Sequence, residues 1–421
     1  MDNTALSARE QYLKKLGLKI DPFAYAISEL ELKHSAYYAG IQYRNGTAKG
    51  KDIHTPFLEY FVPPTTTQGT KSLTLEKLRE PQHSLIFGQS GSGKTMLRLM
   101  LEARMRLVPD IPVRSLVVTH LFRTPDEKVW RALAQSLAID FVIQLIEQFP
   151  VQTTEFGDEH ICALNWQLSI GGPQVRRLIE RYLKEPEPEG KAGYGILWPQ
   201  VGRTALKRVV RDPKLAEIFR KILTKEHTQK RELDNSYDLF QKSIRYAKDG
   251  GLGQIYLLVD DIDYFSRSEG EMLAILEPLL EKLPVWQEEN VYLKGFLPAR
   301  LEESVTHWLQ ERKLPKTLVY LNKLKWTAQS LRELIIQRLR TGGSRLISLN
   351  DLAGKGLENQ LEDNLFLAAQ GQPRRLISLM DRLIDTHLRR APNELFFSLE
   401  DWKHSKEQED SLHDSQQAES R

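Results

Sequence analysis

The sequence predicts an α/β protein with a three-layer αβα architecture built around a parallel sheet. Short apolar runs of strand length alternate with longer segments of helical periodicity, which is the pattern of repeated β–α units. In one run, Ile255–Val259, five consecutive residues are apolar. Such a strand is buried on both faces, as in parallel sheets. The predicted strands are Leu85–Phe87, Val113–Val118, Ile255–Val259, Val291–Phe296 and Thr317–Leu321.

The first of these strands leads into a glycine-rich loop and then a helix, between Ser84 and Thr95. The residues fit the pattern G-x-x-x-x-G-K-T, which binds phosphate groups in this strand–loop–helix setting. Glycines let successive N–H groups turn toward one anion, and the helix N-terminus adds partial positive charge. The predicted phosphate-binding residues are Gly88, Ser90, Gly91, Ser92, Gly93, Lys94 and Thr95. We expect Lys94 to reach the terminal phosphates of a nucleoside triphosphate and the Thr95 hydroxyl to bind Mg²⁺.

Acidic residues follow the most apolar of the predicted strands. Asp260, at its carboxyl end, would approach Thr95 and hold Mg²⁺ through water. Asp261 is the candidate to orient or deprotonate an attacking water. Asp263 is the reserve candidate, because it would point the same way as Asp261 if the strand continued. The alternative is that these aspartates only form the turn that ends the strand.

These motifs, together with Gly371-Gln372-Pro373-Arg374 in a later helical segment, resemble the P-loop NTPases of the AAA+ class. The similarity is nearest to the origin-recognition/initiator clade, the bacterial ATPases of transposition and secretion, and the STAND-type NTPases. It implies a magnesium-dependent ATPase with ATP and Mg²⁺ as cofactors. It also implies a C-terminal helical lid from which Arg374, with Arg375 as its neighbour, contacts the terminal phosphate. The implied catalytic residues are Asp261, Lys94 and Arg374.

The resemblance further implies assembly, because such ATPases form rings or filaments in which one subunit supplies an arginine to the nucleotide of the next. We therefore expect a homo-oligomer on ATP binding. Arg300 and Arg312, after the fourth predicted strand, are the candidates for that arginine. The alternative for each is a surface ion pair with Glu302, Glu303 or Glu311.

Three features depart from the family pattern. The span between Thr95 and Asp260 is far longer than the minimal fold needs, which predicts a large helical insertion. Leu297-Pro298 occupies the place where the family has a polar first-sensor residue. Asp261 is one methylene shorter than the usual glutamate. The last two differences predict intact nucleotide binding with slow hydrolysis.

The predicted organisation has six parts. They are an N-terminal lead-in packing on the ATPase core (1–80), the first part of the core with the phosphate loop (81–149), the helical insertion (150–239), the second part of the core with the acidic strand (240–325), the helical lid (326–395) and a polar, disordered tail (396–421).

Composition narrows the class of protein. The 421 residues are 41% apolar and 27% charged, and these are ordinary values for globular proteins. A net charge of +3 does not by itself imply a polyanionic partner. The single cysteine, Cys162, excludes an internal disulfide and fits a reducing cytosol, where we expect it to be a small buried side chain. Neither a signal peptide nor an apolar run of membrane-spanning length is present, so we expect a cytoplasmic protein without a membrane partner.

Several functions remain open at this stage. The first is an ATP-dependent switch or remodelling ATPase acting on a protein or nucleic acid. The second is an ATP-gated nucleic-acid-binding regulator with little hydrolysis, which would use the Arg203–Arg231 stretch, where ten Lys or Arg stand against three acids. A solvated helical face is the alternative explanation of that stretch. The third is a sensor subunit of a multi-protein complex, and the fourth is a small-molecule kinase.

Overall fold

A parallel sheet forms the centre of the protein. The computed structural model describes residues 7–18, 21–23, 61–66, 75–107, 115–125, 128–148, 157–171, 217, 220, 235–343, 346 and 348–419. Within these residues the strands are β1 (Thr65–Thr66), β2 (His83–Gly88), β3 (Ser115–Leu121), β4 (Gln254–Asp260), β5 (Val291–Pro298) and β6 (Val319–Lys325). All five strands expected from the sequence are therefore confirmed, with ends that differ by a few residues.

The spatial order of the strands is β1-β6-β2-β5-β4-β3. β1 pairs antiparallel with β6, and the other five strands run parallel. β5 thus lies between β2, which leads into the glycine-rich loop, and β4, which ends at Asp260. Parallel strands place their carboxyl ends at one edge of a sheet, where open α/β folds bind ligands. The loops after β2 and β4 consequently meet at that edge.

Helices cover both faces of the sheet. In chain order they are α1 (Ala8–Lys15), α2 (Leu75–Arg79), α3 (Lys94–Leu107), α4 (Val129–Gln148), α5 (Asp158–Ile170), α6 (Tyr237–Asp249), α7 (Glu269–Leu280), α8 (Leu283–Glu288), α9 (Glu302–Glu311), α10 (Ala328–Thr341), α11 (Leu361–Ala369), α12 (Pro373–Arg390) and α13 (Leu399–Glu419). Short 3₁₀ helices lie at Ala299–Leu301 and Leu349–Leu352.

Alternate residues of each strand face opposite helical layers, since side chains of a strand alternate between its two faces. On one face, Tyr256 and Leu258 of β4 pack with Leu97 and Leu101 of α3. On the other face, Leu257 packs in a larger apolar cluster to which α4, α5, α6, α7, α8 and α9 contribute. A parallel sheet between two helical layers is an α/β fold, as the sequence predicts.

Helix α4 covers the free edge of β3, the last strand in the described order. Its Gln144 side chain accepts a hydrogen bond from the Val117 backbone N–H (2.9 Å) and donates one to the Val117 carbonyl (2.6 Å). Asp140 accepts a hydrogen bond from the Thr119 backbone N–H at 2.8 Å. These side chains bond the backbone as a neighbouring strand would, so the edge is closed to pairing with another chain.

The segment predicted as a helical insertion, 150–239, lies mostly outside the described residues, and so does nearly all of the Arg203–Arg231 stretch. The described helix α5 falls inside the predicted insertion, yet it packs in the core of the sheet through Ala163, Leu164 and Ile170. This part of the segment therefore belongs to the helical layer. Cys162, on the same helix, is exposed rather than buried, which corrects the expectation for that side chain.

The helices α10, α11, α12 and α13 form a second apolar cluster beside the sheet, hereafter the helical module. α1 packs in this cluster through Tyr12 and Leu13, and its Arg9 forms ion pairs with Asp381 and Asp385 of α12. The sequence predicts a lead-in, 1–80, that packs on the ATPase core. Of its described elements, α1 packs on the helical module and β1 pairs with β6 of the sheet.

The expected disordered tail, 396–421, is also corrected, because α13 occupies most of it. Asp401 accepts hydrogen bonds from the Arg390 guanidinium at 2.6 and 2.9 Å, and Glu409 accepts one from Arg382 at 2.7 Å. Polar composition suggested disorder, but these acids are paired with basic residues of α12 that the composition of the tail alone does not reveal.

In the described part of the chain, no helix is both long and apolar enough to cross a bilayer.

Candidate functional site

The glycine-rich loop joins the buried strand β2 directly to α3. Gly91 and Gly93 have φ angles of 78° and 90°, a region that side chains with a Cβ rarely adopt. The loop then ends where Lys94 begins α3. The two glycines thus provide the tight turn that the motif predicts, and the N-terminal amides of α3 lie at its end.

Gly88 lies close to the other side of the loop. A Cβ at this position would lie 2.4 Å from the Ser92 hydroxyl oxygen and 3.2 Å from the Lys94 Cγ. The Ser92 hydroxyl is buried and has no hydrogen-bond partner in the structure. The loop is therefore closed tightly over the end of β2, with a buried polar atom inside it.

The Lys94 side chain folds back over this loop. Its ammonium donates to the Gly88 carbonyl at 2.8 Å and to the Gln89 carbonyl at 3.2 Å. Lys94 is only 8% exposed. Burial lowers the pKa of its ammonium, and this is opposed by the negative charges of Asp263 and Asp260. The ammonium thus bonds to loop carbonyls and lies within the electrostatic influence of the aspartates that follow β4.

Asp260 lies opposite the loop, as predicted, and connects β4 to α3. Its Oδ2 accepts a hydrogen bond from the Thr95 hydroxyl at 3.1 Å. The same oxygen accepts one from Nε of Arg98 at 3.0 Å. Arg98 has 0% exposure and also pairs with Glu102. The sequence analysis did not single out Arg98, although its spacing of three from Thr95 places both residues on one face of α3.

Asp261 leaves the strand with a φ of 60°, so the direction of the backbone changes immediately after Asp260. The strand ends at Asp260, so the continued strand through which Asp263 would point the same way as Asp261 does not form, although both aspartates line the same cavity. The carboxylate of Asp261 accepts a hydrogen bond from Nε of Arg123 at 2.6 Å. Arg123 follows β3 and lies 5.4 Å from the centre of the exposed Tyr264 ring. No motif in the sequence marks Arg123.

Arg374 brings the helical module to the loop. Its backbone N–H donates to the Gly91 carbonyl at 3.3 Å, and its Cβ lies 3.0 Å from where a Cβ on Gly91 would be. Gly371, with a φ of 71°, forms the turn before α12. Arg375 points away from the loop and pairs with Asp410 of α13. Of the two neighbouring arginines, only Arg374 therefore lines the cavity.

A second contact from the helical module was not foreseen. Trp326, between β6 and α10, donates its indole N–H to the Ser92 carbonyl at 2.9 Å. Trp326 belongs to no sequence motif, so its contact with the loop could not be predicted from the sequence.

These elements enclose a cavity of about 490 Å³. Charged and polar groups of its wall come from residues 89–95 of the loop, from Asp260, Asp261 and Asp263, and from Arg123, Arg338 and Arg374. Apolar groups come from Phe61, Val62, Pro64, Leu334 and Ile377. The volume lies within the range of small-molecule sites, roughly 300–1,000 Å³. The wall therefore combines charged and apolar groups, the two chemistries that a phosphorylated aromatic ligand needs.

The donor set also fits a magnesium ion. Thr95 and Asp260 offer a hydroxyl and a carboxylate oxygen 3.1 Å apart, and Mg²⁺ prefers oxygen ligands, usually with phosphate and water completing its shell. Among the described residues there is no group of three or more His, Cys, Asp or Glu side chains that could hold a metal without such help.

Two arginines were considered for a role in a neighbouring subunit. Arg300 donates to the Arg267 carbonyl at 2.8 Å, and Arg312 pairs with Glu281 at 3.6 Å over the ring of Trp308. Among the described residues, neither arginine therefore has the surface ion pair with Glu302, Glu303 or Glu311 that was the alternative explanation.

Leu297 and Pro298 end β5 between the two halves of the site, and both are buried. Neither side chain belongs to the cavity wall. The position expected for a polar first sensor is therefore apolar and turned away from the cavity.

Comparison with known proteins yields no match for this chain among family models, curated protein sequences or solved structures. Any assignment of function therefore depends on the geometry of the site.

Proposed function

We propose that the protein binds ATP with Mg²⁺ in this cavity and acts as an AAA+-type switch or remodelling ATPase on a protein or nucleic-acid partner. The observation that carries the proposal is the convergence of three groups on one cavity. These are the phosphate loop with Lys94, the aspartates that follow β4, and Arg374 of the helical module. A ligand held by all three would join the sheet to the module, which is the basis of a nucleotide-dependent switch.

Binding would replace existing contacts of the loop. The Lys94 ammonium now bonds to two loop carbonyls, and phosphate oxygens would take their place as acceptors. Arg374 would add positive charge from the module. Mg²⁺, held through Thr95 and Asp260, would supply further neutralisation of the phosphate oxygens. Positioning and charge stabilisation of this kind account for most of the catalysis of phosphoryl transfer.

Asp261 is the proposed general base. Its carboxylate would accept a proton from water while the water oxygen forms a bond to the γ-phosphorus. The bond from the γ-phosphorus to the bridging oxygen breaks, and its electron pair leaves with ADP. The ion pair of Asp261 with Arg123 occupies one carboxylate oxygen, so hydrolysis would be slow until that pair opens.

Calorimetry with ATP and Mg²⁺, followed by measurement of phosphate release, tests the proposal. Lys94→Ala should abolish both signals, because it removes the ammonium group that is proposed to bind the terminal phosphates. The matched control is Lys77→Ala, which removes a partly exposed lysine of α2 paired with Glu80. Absence of heat with ATP and with GTP for the unaltered protein would disprove the proposal. Size measurement with a non-hydrolysable analogue tests the proposed homo-oligomer.

The ion pair between Arg123 and Asp261 also favours a second candidate, an ATP-gated regulator that hydrolyses little. Arg123→Gln distinguishes the two. For an ATPase restrained by this pair, the variant should release phosphate several-fold faster at saturating ATP, although loss of a cation from the cavity wall should weaken ATP binding. If ATP binds but neither protein turns it over, the regulator is the better description. The nucleic-acid contact through Arg203–Arg231 and a protein partner remain predictions.

A further inference from the structure

Two hydrogen bonds from the helical module hold consecutive carbonyls of the phosphate loop. The Arg374 N–H donates to the Gly91 carbonyl at 3.3 Å, and the Trp326 indole donates to the Ser92 carbonyl at 2.9 Å. Trp326 lies between the last residue of β6 and Thr327, whose side chain caps α10. It therefore contacts the loop from the point where the sheet joins the module.

The geometry of the peptide bond gives the indole contact a consequence for the loop amides. In a trans peptide the C=O of one residue and the N–H of the next point in opposite directions within one plane. The described chain contains no cis peptide bond. Fixing the Ser92 carbonyl toward the indole therefore turns the Gly93 N–H to the opposite side. Gly93 has a φ of 90° and no Cβ, so its flanking peptides could otherwise rotate easily.

We propose that Trp326 is a positioning residue that orients the Ser92–Gly93 peptide for a bound polyphosphate and couples the phosphate loop to the helical module. This rests on the proposed nucleotide site and deepens it. The Trp326 ring approaches within 3.8 Å of where a Cβ on Gly93 would lie, and it also lines the cavity, so it packs against the loop beside the proposed nucleotide site. Binding of phosphate to the loop thus alters the surroundings of a residue that begins the module.

Inorganic tripolyphosphate is the sharpest probe, because it carries the phosphate groups of the proposed ligand without a base. Trp326→Phe keeps an aromatic ring and removes the N–H donor. We expect its affinity for tripolyphosphate, measured by calorimetry, to fall about fivefold to tenfold, the effect of losing one hydrogen bond. The matched control is Trp166→Phe, which also removes an indole hydrogen bond, to Ser243 at 3.4 Å on α6. The control should bind as the unaltered protein does.

Tryptophan fluorescence supplies a readout that a purely structural role would not change. Emission should shift when tripolyphosphate is added to the unaltered protein and to Trp166→Phe, and the shift should disappear in Trp326→Phe. Thermal unfolding of each variant checks the fold, and Trp326→Tyr, which also lacks the indole N–H, provides a second variant if the first does not fold. Unchanged affinity and an unchanged emission shift in a folded Trp326 variant would overturn the inference and leave the nucleotide site intact. If the unaltered protein binds neither tripolyphosphate nor ATP, the proposed function itself fails.

Discussion

Arg98 donates a hydrogen bond to the Asp260 carboxylate at 3.0 Å, and both side chains are almost completely inaccessible to solvent. The oxygen that accepts this bond also contacts the Thr95 hydroxyl. The aspartate proposed to approach Mg²⁺ is therefore already balanced by a buried guanidinium. This pair connects the start of α3 to the end of β4, and so it connects the two halves of the candidate site.

The first prediction concerns this buried pair. Arg98→Met should lower the free energy of unfolding by about 3–5 kcal/mol, because it leaves the Asp260 charge buried without its guanidinium. The double variant Arg98→Met with Asp260→Asn should recover part of that loss, since both charges are removed together. Urea unfolding of the single and double variants measures the coupling.

The control for that experiment is Arg312→Met. Arg312 is 59% exposed in its ion pair with Glu281, so its removal should cost no more than about 1 kcal/mol. Equal losses in the free energy of unfolding for the Arg98 and Arg312 variants would show that burial does not increase the contribution of the Arg98–Asp260 pair to stability.

The second prediction compares two glycine-to-alanine changes. Gly91→Ala should destabilise the protein, because φ is 78° and the new Cβ would lie 3.0 Å from the Arg374 Cβ. The left-handed conformation alone costs about 1–2 kcal/mol. We also expect weaker ATP binding, since relief of the contact must move either the loop or Arg374.

Gly270→Ala is the matched change. A Cβ at Gly270, in the first turn of α7, would meet nothing within 4 Å, and alanine favours a helix by up to about 1 kcal/mol. Thermal unfolding should therefore move in opposite directions for the two variants, with ATP affinity altered only for Gly91→Ala. Equal behaviour of both would contradict the steric argument.

The third prediction concerns acid stability and His83 on β2. Its Nδ1 accepts the Leu293 N–H at 3.0 Å, so Nε2 carries the proton and donates to the Leu283 carbonyl at 2.9 Å. Burial, assisted by the charge of Lys294, lowers the pKa of His83 from 6.5 to about 4. Between these values the unfolded chain binds the proton and the folded protein does not. The stability from neutral His83 is thus complete above pH 6.5, is lost progressively as the pH falls from 6.5, and is fully lost below about pH 4.

The free energy of unfolding should fall by about 3 kcal/mol over this pH interval. The reason is that proton binding stabilises the unfolded chain throughout the interval and does not stabilise the folded protein. His83→Gln keeps a donor and an acceptor but does not titrate. The difference in free energy of unfolding between the two proteins, measured from pH 7 to pH 4, should shrink as the pH falls. A constant difference would mean that His83 does not titrate in this window.

The sequence predicted the layers of the fold well, because parallel strands and amphipathic helices are determined by local apolar patterns. It was less successful where a contact joins distant segments. The polar composition of the C-terminal segment indicated disorder, yet Asp401 and Glu409 pair with arginines of α12. α1 likewise packs on the helical module through Arg9, which no pattern near residue 9 indicates.

By itself, the sequence determined the tight glycine-rich loop between β2 and α3, since glycines at 88, 91 and 93 and the lysine that follows are neighbours whose spacing dictates the local turn. It also determined that Asp260 ends a buried strand. Only the tertiary structure decided that Arg98 shares Asp260 with Thr95, that Arg123 pairs with Asp261, and that Trp326 contacts the loop. The physical reason is the separation of the contacting residues along the chain. Hydrogen bonds within a turn depend on a few adjacent φ and ψ angles. Contacts between a strand end, a helix face and a distant segment depend on how the whole sheet and the module pack.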